Sequence, residues 1–143
     1  MSYTIQEVSR MTGIPTTTLR YYDKEGLLPF LERKPSGYRV FHDIDIASLQ
    51  IVECLKRTGM PIADIRTFSQ WVLEGDTTLE KRLEMFQKRR EAVQAQIAAL
   101  QESLDVIDYK CEYYSKAVAK GTEKGMQGKD ELPHYGEFVS HAG

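Results

Sequence analysis

The chain has 143 residues, 41% of them hydrophobic and 28% charged, with a formal net charge of −2; that size suits one ordinary domain, or a small domain with an appendage. No apolar run reaches the roughly 20 residues that a bilayer-spanning helix needs, and the opening MSYTIQEVSR carries no apolar signal segment. Two distant cysteines, Cys54 and Cys111, fit a reducing compartment better than a disulfide framework, so a soluble cytoplasmic protein with no membrane partner is expected.

Thr4-Ile5-Gln6-Glu7 has the pattern of a capping box, in which a hydroxyl and a carboxylate three residues apart satisfy each other's backbone amides. A short helix should follow, with Ile5, Val8 and Met11 on its apolar face. Gly13 stops it, and Pro15 suits the first turn of a second helix. Two short helices joined by a tight glycine-containing turn make a helix-turn-helix. Thr16, Thr17, Thr18 and Arg20 then fall on the early turns of the second helix.

Gly26 ends that helix. Pro35-Ser36-Gly37 is a turn signal between Phe30–Glu32 and Tyr38–Phe41, which read as the arms of a short hairpin bearing Lys34 and Arg39. Asp43 or Asp45 caps a third helix running to about Arg57, and Thr58-Gly59 interrupts before Pro61 opens a fourth, with Ile62, Ile65, Phe68 and Val72 as its stripe. Helix-turn-helix, hairpin and helix pair together make a winged-helix arrangement over residues 1–75. Between Arg10 and Arg39 stand six basic residues (Arg10, Arg20, Lys24, Arg33, Lys34 and Arg39) against Asp23, Glu25 and Glu32. A local basic patch, rather than a basic protein, is what phosphate binding requires.

From Asp76, Thr77 or Thr78 a run without proline or glycine extends to Gly121. Steps of four and three give Leu79, Leu83, Phe86, Arg90, Val93, Ile97, Leu100, Leu104, Ile107, Cys111, Tyr114 and Val118, in which Arg90 alone plainly breaks the apolar series. A stripe sustained over so many heptads is a coiled-coil seam on a helix roughly 60 Å long. Residues 76–120 are therefore read as a dimerisation helix whose interface holds Leu83, Phe86, Val93, Ile97, Leu100, Leu104 and Ile107. Homodimerisation follows, since a small N-terminal unit cannot cover such a stripe. Residues 121–143 form a short, glycine-rich polar tail, either disordered or folded back over the helix through Leu132, Tyr135 and Phe138.

A dimer carrying one helix-turn-helix per copy presents two recognition helices related by twofold symmetry, the geometry of a palindromic duplex site. Thr16, Thr17 and Thr18 suit phosphates and base edges, and Arg20, Tyr21 and Tyr22 suit the backbone. One tyrosine of the adjacent pair should turn inward, because neighbouring positions do not share a helix face.

Ile5–Thr12, LRYYDKEGLLP and SGYRVF resemble the N-terminal domain of the MerR family of bacterial transcription regulators, and LKRTGMPIADI is similar to that family's second wing. The resemblance covers about residue 3 to residue 73. It implies a mainly α fold, with a winged helix-turn-helix domain followed by a long helix that pairs as an antiparallel coiled coil. It also implies a dimer that binds an over-long promoter spacer, bends and untwists it, and so lets RNA polymerase engage both promoter elements. Carried over by motif, Arg20, Tyr21, Tyr38 and Arg39 are backbone contacts, Thr17 faces a base, and Lys56 or Arg66 serves the second wing. Tyr38 is equally readable as a packed wing residue.

Metal-binding members of the family carry cysteines at the start of the dimer helix and in a loop after it. Here that start is Asp76, Thr77 and Thr78, and His134 and His141 lie in the tail, so neither a metal nor another cofactor is expected. VECLKRTG is similar to a thiol-responsive subgroup that answers reactive aldehydes or other electrophiles in stress responses. Cys54 is the sensor candidate, with Lys56 and Arg57 favouring its thiolate if they face it. The competing reading packs Cys54 beside Ala47 and Ile51 as a small core hydrophobe. Cys111, on the seam, reads as a packing residue. Two other functions stay open: an effector-independent architectural DNA-binding protein, and a coiled-coil adaptor whose N-terminal domain binds protein. No phosphate loop, nucleophile–base pair or metal cluster suggests an enzyme.

Overall fold

A computed structural model describes residues 1–126, 128 and 132–140. The elements run β1 (Ser2–Tyr3), α1 (Ile5–Thr12), α2 (Thr16–Lys24), β2 (Glu32–Arg33), β3 (Arg39–His42), α3 (Asp43–Arg57), α4 (Ile62–Glu74), a 3-10 turn (Asp76–Thr78), α5 (Leu79–Lys120) and α6 (Tyr135–Ser140). Two compact units emerge, the first Met1–Arg89 and the second beginning at Arg90, with α5 running through both.

Local chemistry accounts for the helix ends. The Thr4 hydroxyl accepts from the Glu7 amide at 3.1 Å, and the Glu7 carboxylate accepts from the Thr4 amide at 3.2 Å. Gly13, at φ 75°, adopts the left-handed conformation that ends α1, and its amide donates to the Ser9 carbonyl. The first turn of α3 is held by Asp45, whose carboxylate accepts from the His42 amide at 2.7 Å; Asp43 instead accepts from the Tyr3 hydroxyl at 3.0 Å.

The sheet is antiparallel in the order β1-β3-β2, with Ser2 opposite His42, Tyr3 opposite Phe41 and Arg33 opposite Arg39. The sequence pattern does not announce β1, and the first arm of the hairpin sits later than Phe30–Glu32, at Glu32–Arg33. Leu31, just before it, turns onto the core while Phe30 stays exposed. The core gathers Ile5, Val8, Leu19, Tyr22, Phe41, Leu49, Leu55 and Ile65. Met11 does not join it, being 53% exposed; Ile14, beyond the turn, takes the buried position instead. In the last turn of α1 the Thr12 hydroxyl donates to the Val8 carbonyl at 2.7 Å.

The beginning of α5 belongs to the first unit. Thr78 is buried and its hydroxyl reaches the Trp71 carbonyl at 2.6 Å, while Arg82 donates to Thr78 at 3.1 Å and to the Gly75 carbonyl at 2.9 Å. Phe86 meets Phe68 edge to face with ring centroids 5.3 Å apart. In the second unit α5 buries Tyr113 and Ala117. The Tyr113 hydroxyl donates to Glu123 at 2.8 Å, and that hydrogen bond, followed by desolvation, pushes its pKa up to about 12. Of the two readings of the tail, the folded-back one describes residues 132–140, of which Tyr135–Ser140 form α6 and several line a cleft against Ala99, Glu102, Ser103 and Val106. His141 lies outside the described residues.

Asp45 is a charged group inside this core, fully buried, with Oδ1 lacking a hydrogen-bond partner among the described residues. Burial pushes its carboxyl up from the ordinary value, and the hydrogen bond from His42 opposes part of that rise. A carboxyl raised on folding contributes stability that is complete below its unfolded pKa and is lost as pH rises through the folded value. The stability of the natural chain relative to Asp45→Asn should therefore fall as pH increases from about 4 towards neutrality. Denaturant unfolding of both proteins across that range measures it, and a constant difference would refute it.

Candidate nucleic-acid interface

The orientation of α2 begins with two apolar positions one turn apart. Leu19 and Tyr22 are both fully buried, which turns Thr17, Arg20 and Tyr21 to the outside. Tyr22 is thus the inward member of the tyrosine pair, and Tyr21 is 45% exposed. Thr16 and Thr18 are half-buried, and the Thr16 hydroxyl accepts weakly from Arg20 at 3.4 Å.

The hydroxyl end of Tyr22 ties α2 to α3. It donates to the Glu53 carboxylate at 2.6 Å and accepts from Lys56 Nζ at 2.7 Å, with that ammonium 5.1 Å from the ring centroid. Desolvation first, then the Glu53 hydrogen bond, raises the Tyr22 pKa. Lys56, expected on the second wing, thus has its ammonium on the recognition helix's buried tyrosine, and that contact raises its own pKa. Arg66 is similarly engaged: Nε donates to the Glu25 carbonyl at 2.9 Å, and the guanidinium also pairs with the Glu25 carboxylate. Both cations brace the C-terminal part of α2, one from α3 and one from α4.

Two carboxylates brace the hairpin: Glu32 on β2 meets His42 Nε2 on β3 at 2.8 Å, and Asp23 ties the hairpin to α2. Asp23, whose side chain is only 10% exposed, accepts from Arg39 Nε at 2.7 Å and pairs with the Arg33 guanidinium. Arg33 and Arg39 stand opposite each other on β2 and β3, where like charges repel unless a counter-ion lies between them. At the tip, the Gly37 amide donates to the Lys34 carbonyl and the Lys34 amide to the Tyr38 carbonyl, both at 2.8 Å, with Gly37 at φ 87°. The outcome is one cleft of about 170 Å³ lined by Ile5, Gln6, Arg20, Gly37, Tyr38 and Arg39. Arg20, Tyr38 and Arg39, distant in sequence, meet there. Tyr38 is 54% exposed, so the packed reading of this residue does not describe the chain.

Cys54 is exposed, which corrects the reading that packs it in the core. The buried stripe of α3 is Leu49, Val52 and Leu55, one position over from Ile51 and Cys54. Ala47 and Ile51 are exposed too, and line a shallow apolar groove with Phe30, Ile44, Phe68 and Val72. The Asp23 clamp and the Tyr22 relay carry no motif of their own, although an aspartate and a tyrosine flanking the exposed face of a helix are a usable hint.

If Asp23 is what holds the hairpin, Asp23→Ala should speed amide hydrogen exchange in β2 and β3 by about tenfold (~1.4 kcal/mol of local opening) while leaving α4 unchanged. Exchange read by mass spectrometry checks this, and equal protection in both proteins would dismiss the clamp.

Comparison with known proteins adds an independent line. Residues 3–70 match the MerR HTH family regulatory protein family, and residues 46–109 match the MerR, DNA binding family. An HTH-type transcriptional regulator of Haemophilus influenzae is 43% identical over 126 residues, covering 88% of this chain and 93% of that protein. The regulator AdhR of Bacillus subtilis is 32% identical over 87 residues, 61% of this chain and 62% of AdhR. Among solved structures, HiNmlR, a MerR family regulator lacking the sensor domain and bound to promoter DNA, superposes with a TM-score of 0.80 at 44% identity. The match covers 87% of this chain and 98% of HiNmlR. A MerR family regulator from Bacillus thuringiensis gives a TM-score of 0.71 at 38% identity, over 78% and 98% of the respective chains. Among the described residues no helix is long and apolar enough to cross a membrane. With a mainly helical winged fold, a cleft of cationic and phenolic side chains beside its second helix, and these relatives, the chain belongs to the MerR family of DNA-binding transcriptional regulators.

Proposed function

We propose that this regulator acts in the cytoplasm as a homodimer on a palindromic promoter spacer. It bends and untwists that spacer so that RNA polymerase can engage both flanking elements. The observation that carries the reading is the cleft where Arg20, Tyr38 and Arg39 converge beside the exposed Thr17 and Tyr21. Guanidinium and phenol groups at a helix and its adjoining hairpin suit consecutive phosphates, and a small hydroxyl residue between them suits a base edge. Thr16 and Thr18 flank that position. Lys56 and Arg66 serve by holding α2 in place and add positive potential near the duplex. The promoter DNA held by HiNmlR is support for a duplex ligand of the same kind.

Pairing of two chains is supported by α5. Ile97 is 61% exposed, Leu100 70%, Leu104 46% and Ile107 57%, a row no soluble helix leaves bare at low cost: each large aliphatic side chain contributes about 1.5–3 kcal/mol when buried. Within the first unit Leu83 and Phe86 are exposed as well, and Val93, half-buried, lies at the start of the second. An antiparallel coiled coil of two α5 helices covers all of them. The apolar groove beside Ile44, Ile51 and Phe68, about 200 Å³, is a second surface that pairing would cover.

Cys54 is proposed to answer small electrophiles or aldehydes. Its exposure on α3 gives access to the sulfur, and α3 connects by Glu53 and Lys56 to Tyr22 of the recognition helix. Modification beside that relay would reach α2 through two hydrogen bonds.

Leu100→Asp should yield single chains in sedimentation and weaken binding to the palindrome by about 10²–10⁴-fold, because the second half-site then binds without tethering. In the same titration Arg20→Ala should keep the dimer, weaken binding to all duplexes alike and lower the salt slope by about 1. An unaltered association state in the first variant, or an unaltered slope in the second, would remove the corresponding part. For the effector, Cys54→Ser should leave duplex affinity within about twofold (~0.4 kcal/mol) and abolish the transcriptional response to formaldehyde; an intact response would end the sensor assignment.

A further inference from the structure

The second unit contains a cluster that the DNA-binding reading does not use. Glu102 on α5, His134 before α6 and Glu137 in α6 offer ligand atoms all within 4.8 Å of one another. His134 is held in place by its backbone and its ring. Its φ of 63° lies in the left-handed region that a non-glycine residue seldom occupies. Its Nε2 lies 2.8 Å from Asp105 Oδ2, and its Nδ1 faces Glu137 Oε2 at 3.4 Å. Asp105 is itself fixed from the other side, where Gln101 donates to Oδ1 at 2.9 Å.

This arrangement has the two layers a metal centre needs. Asp105 accepts the Nε2 proton, which sets the imidazole tautomer and leaves the Nδ1 lone pair directed at the two glutamates. A lone pair and two carboxylates gathered so closely repel unless a proton or a cation lies among them. The contacts with Asp105 and Glu137 raise the His134 pKa, so a proton is the competing occupant. A divalent ion neutralises more of the charge: with neutral imidazole, Glu102, Asp105 and Glu137 leave three formal negative charges. One imidazole nitrogen with carboxylate oxygens suits Zn²⁺ among the common divalent ions, at ligand distances of about 2.0–2.2 Å. Ligands so bound lie about 3.4 Å apart in a tetrahedron, and rotation of the exposed Glu102 side chain would close the remaining gap. Neither glutamate nor the histidine coincides with the cysteine positions that the family resemblance associates with metals.

We propose that Glu102, His134 and Glu137 form a Zn²⁺ site that clips residues 132–140 onto α5, with Asp105 as the positioning residue behind His134. Beside it runs an apolar cleft of about 720 Å³ whose walls include Ala99, Val106, Leu132 and Phe138. The ion joins the two sides of that cleft and leaves a coordination position for water or a small anionic ligand entering it.

The test uses the full chain carrying Cys54→Ser and Cys111→Ser, so that thiolates do not compete, freed of metal by chelation and titrated calorimetrically with ZnCl₂. One ion per chain should bind. Glu102→Gln and His134→Gln should each weaken binding by at least about 30-fold, and Asp105→Asn by about 10–100-fold with stoichiometry unchanged. Zn²⁺ should slow amide exchange in α6 of the parent and not in Glu102→Gln, a variant on α5 that leaves the tail sequence intact. Absence of saturable binding overturns the site. So does affinity unchanged in both Glu102→Gln and His134→Gln, which would place the ion elsewhere, as at His42 and Glu32.

Discussion

The rotation of one nine-residue helix governs the functional face of this protein. Burying Leu19 and Tyr22 leaves α2 a single way to lie on the core, and the helical period then turns Thr17, Arg20 and Tyr21 outward. Hydrophobic burial supplies the driving force, but it has no fine directional preference. The polar end of Tyr22 supplies that, fixed between Glu53 and Lys56 on α3. Arg66 anchors the C-terminal end of α2 from α4. Asp23 then uses the same helix as the footing for the hairpin. Each of these contacts is a charge-assisted hydrogen bond at a partly shielded position, where geometry counts for more than net free energy. They determine the spacing of the outward-facing groups proposed to meet the duplex; the apolar core determines whether the domain folds.

Much of this was legible from residue order because the local signals agree with the global packing. Thr4 and Glu7 announce the start of α1, Gly13 its end, and Pro35-Ser36-Gly37 the hairpin turn; all three do in the structure what their chemistry suggests. The α5 pattern, free of glycine and proline, reads directly as one long helix over residues 76–120, of which Leu79–Lys120 is α-helical and Asp76–Thr78 forms a 3-10 turn before it. The signals that failed are those set by tertiary neighbours. β1 is two residues long and exists only because β3 offers it an edge. Met11 has the right spacing for the core, yet it stays exposed while Ile14, beyond the turn, is buried. Ile51 and Cys54 match a plausible stripe on α3, yet the stripe one position over, Leu49-Val52-Leu55, faces the core. A one-residue phase error on a helix of mixed polarity turns the stripe through about 100°, enough to move a cysteine from interior to surface.

The candidate site divides along the same line. Thr17, Arg20, Tyr21 and Tyr38 could be picked out because polar and aromatic residues cluster there without an internal structural purpose, whereas Arg39 also serves the Asp23 clamp. The braces Asp23, Glu25 and Glu53 could not, since a surface carboxylate looks the same in sequence whether it meets water or a guanidinium. Lys56 and Arg66 show the ambiguity from the cationic side: positive residues near the expected interface, with their charges already engaged by α2.

α5 carries two chemically different faces in its second half. One presents Ile97, Leu100, Leu104 and Ile107, all exposed in the single chain. The other, about 100° around the helix, presents Ala99, Glu102, Ser103 and Val106 to the cleft of α6. The first is uniformly aliphatic and suits a partner that reads only shape and hydrophobicity, as a second identical helix does. The second mixes small apolar residues with carboxylates, too polar for a dry seam yet well furnished for a histidine-bearing segment. Because the faces adjoin, a side chain at Leu100 or Ser103 has neighbours in both, and the position of α6 bears on the room available at the edge of the proposed seam. Were the long helices to pair as proposed, occupancy of the tail cleft and that pairing would be linked through packing at this edge.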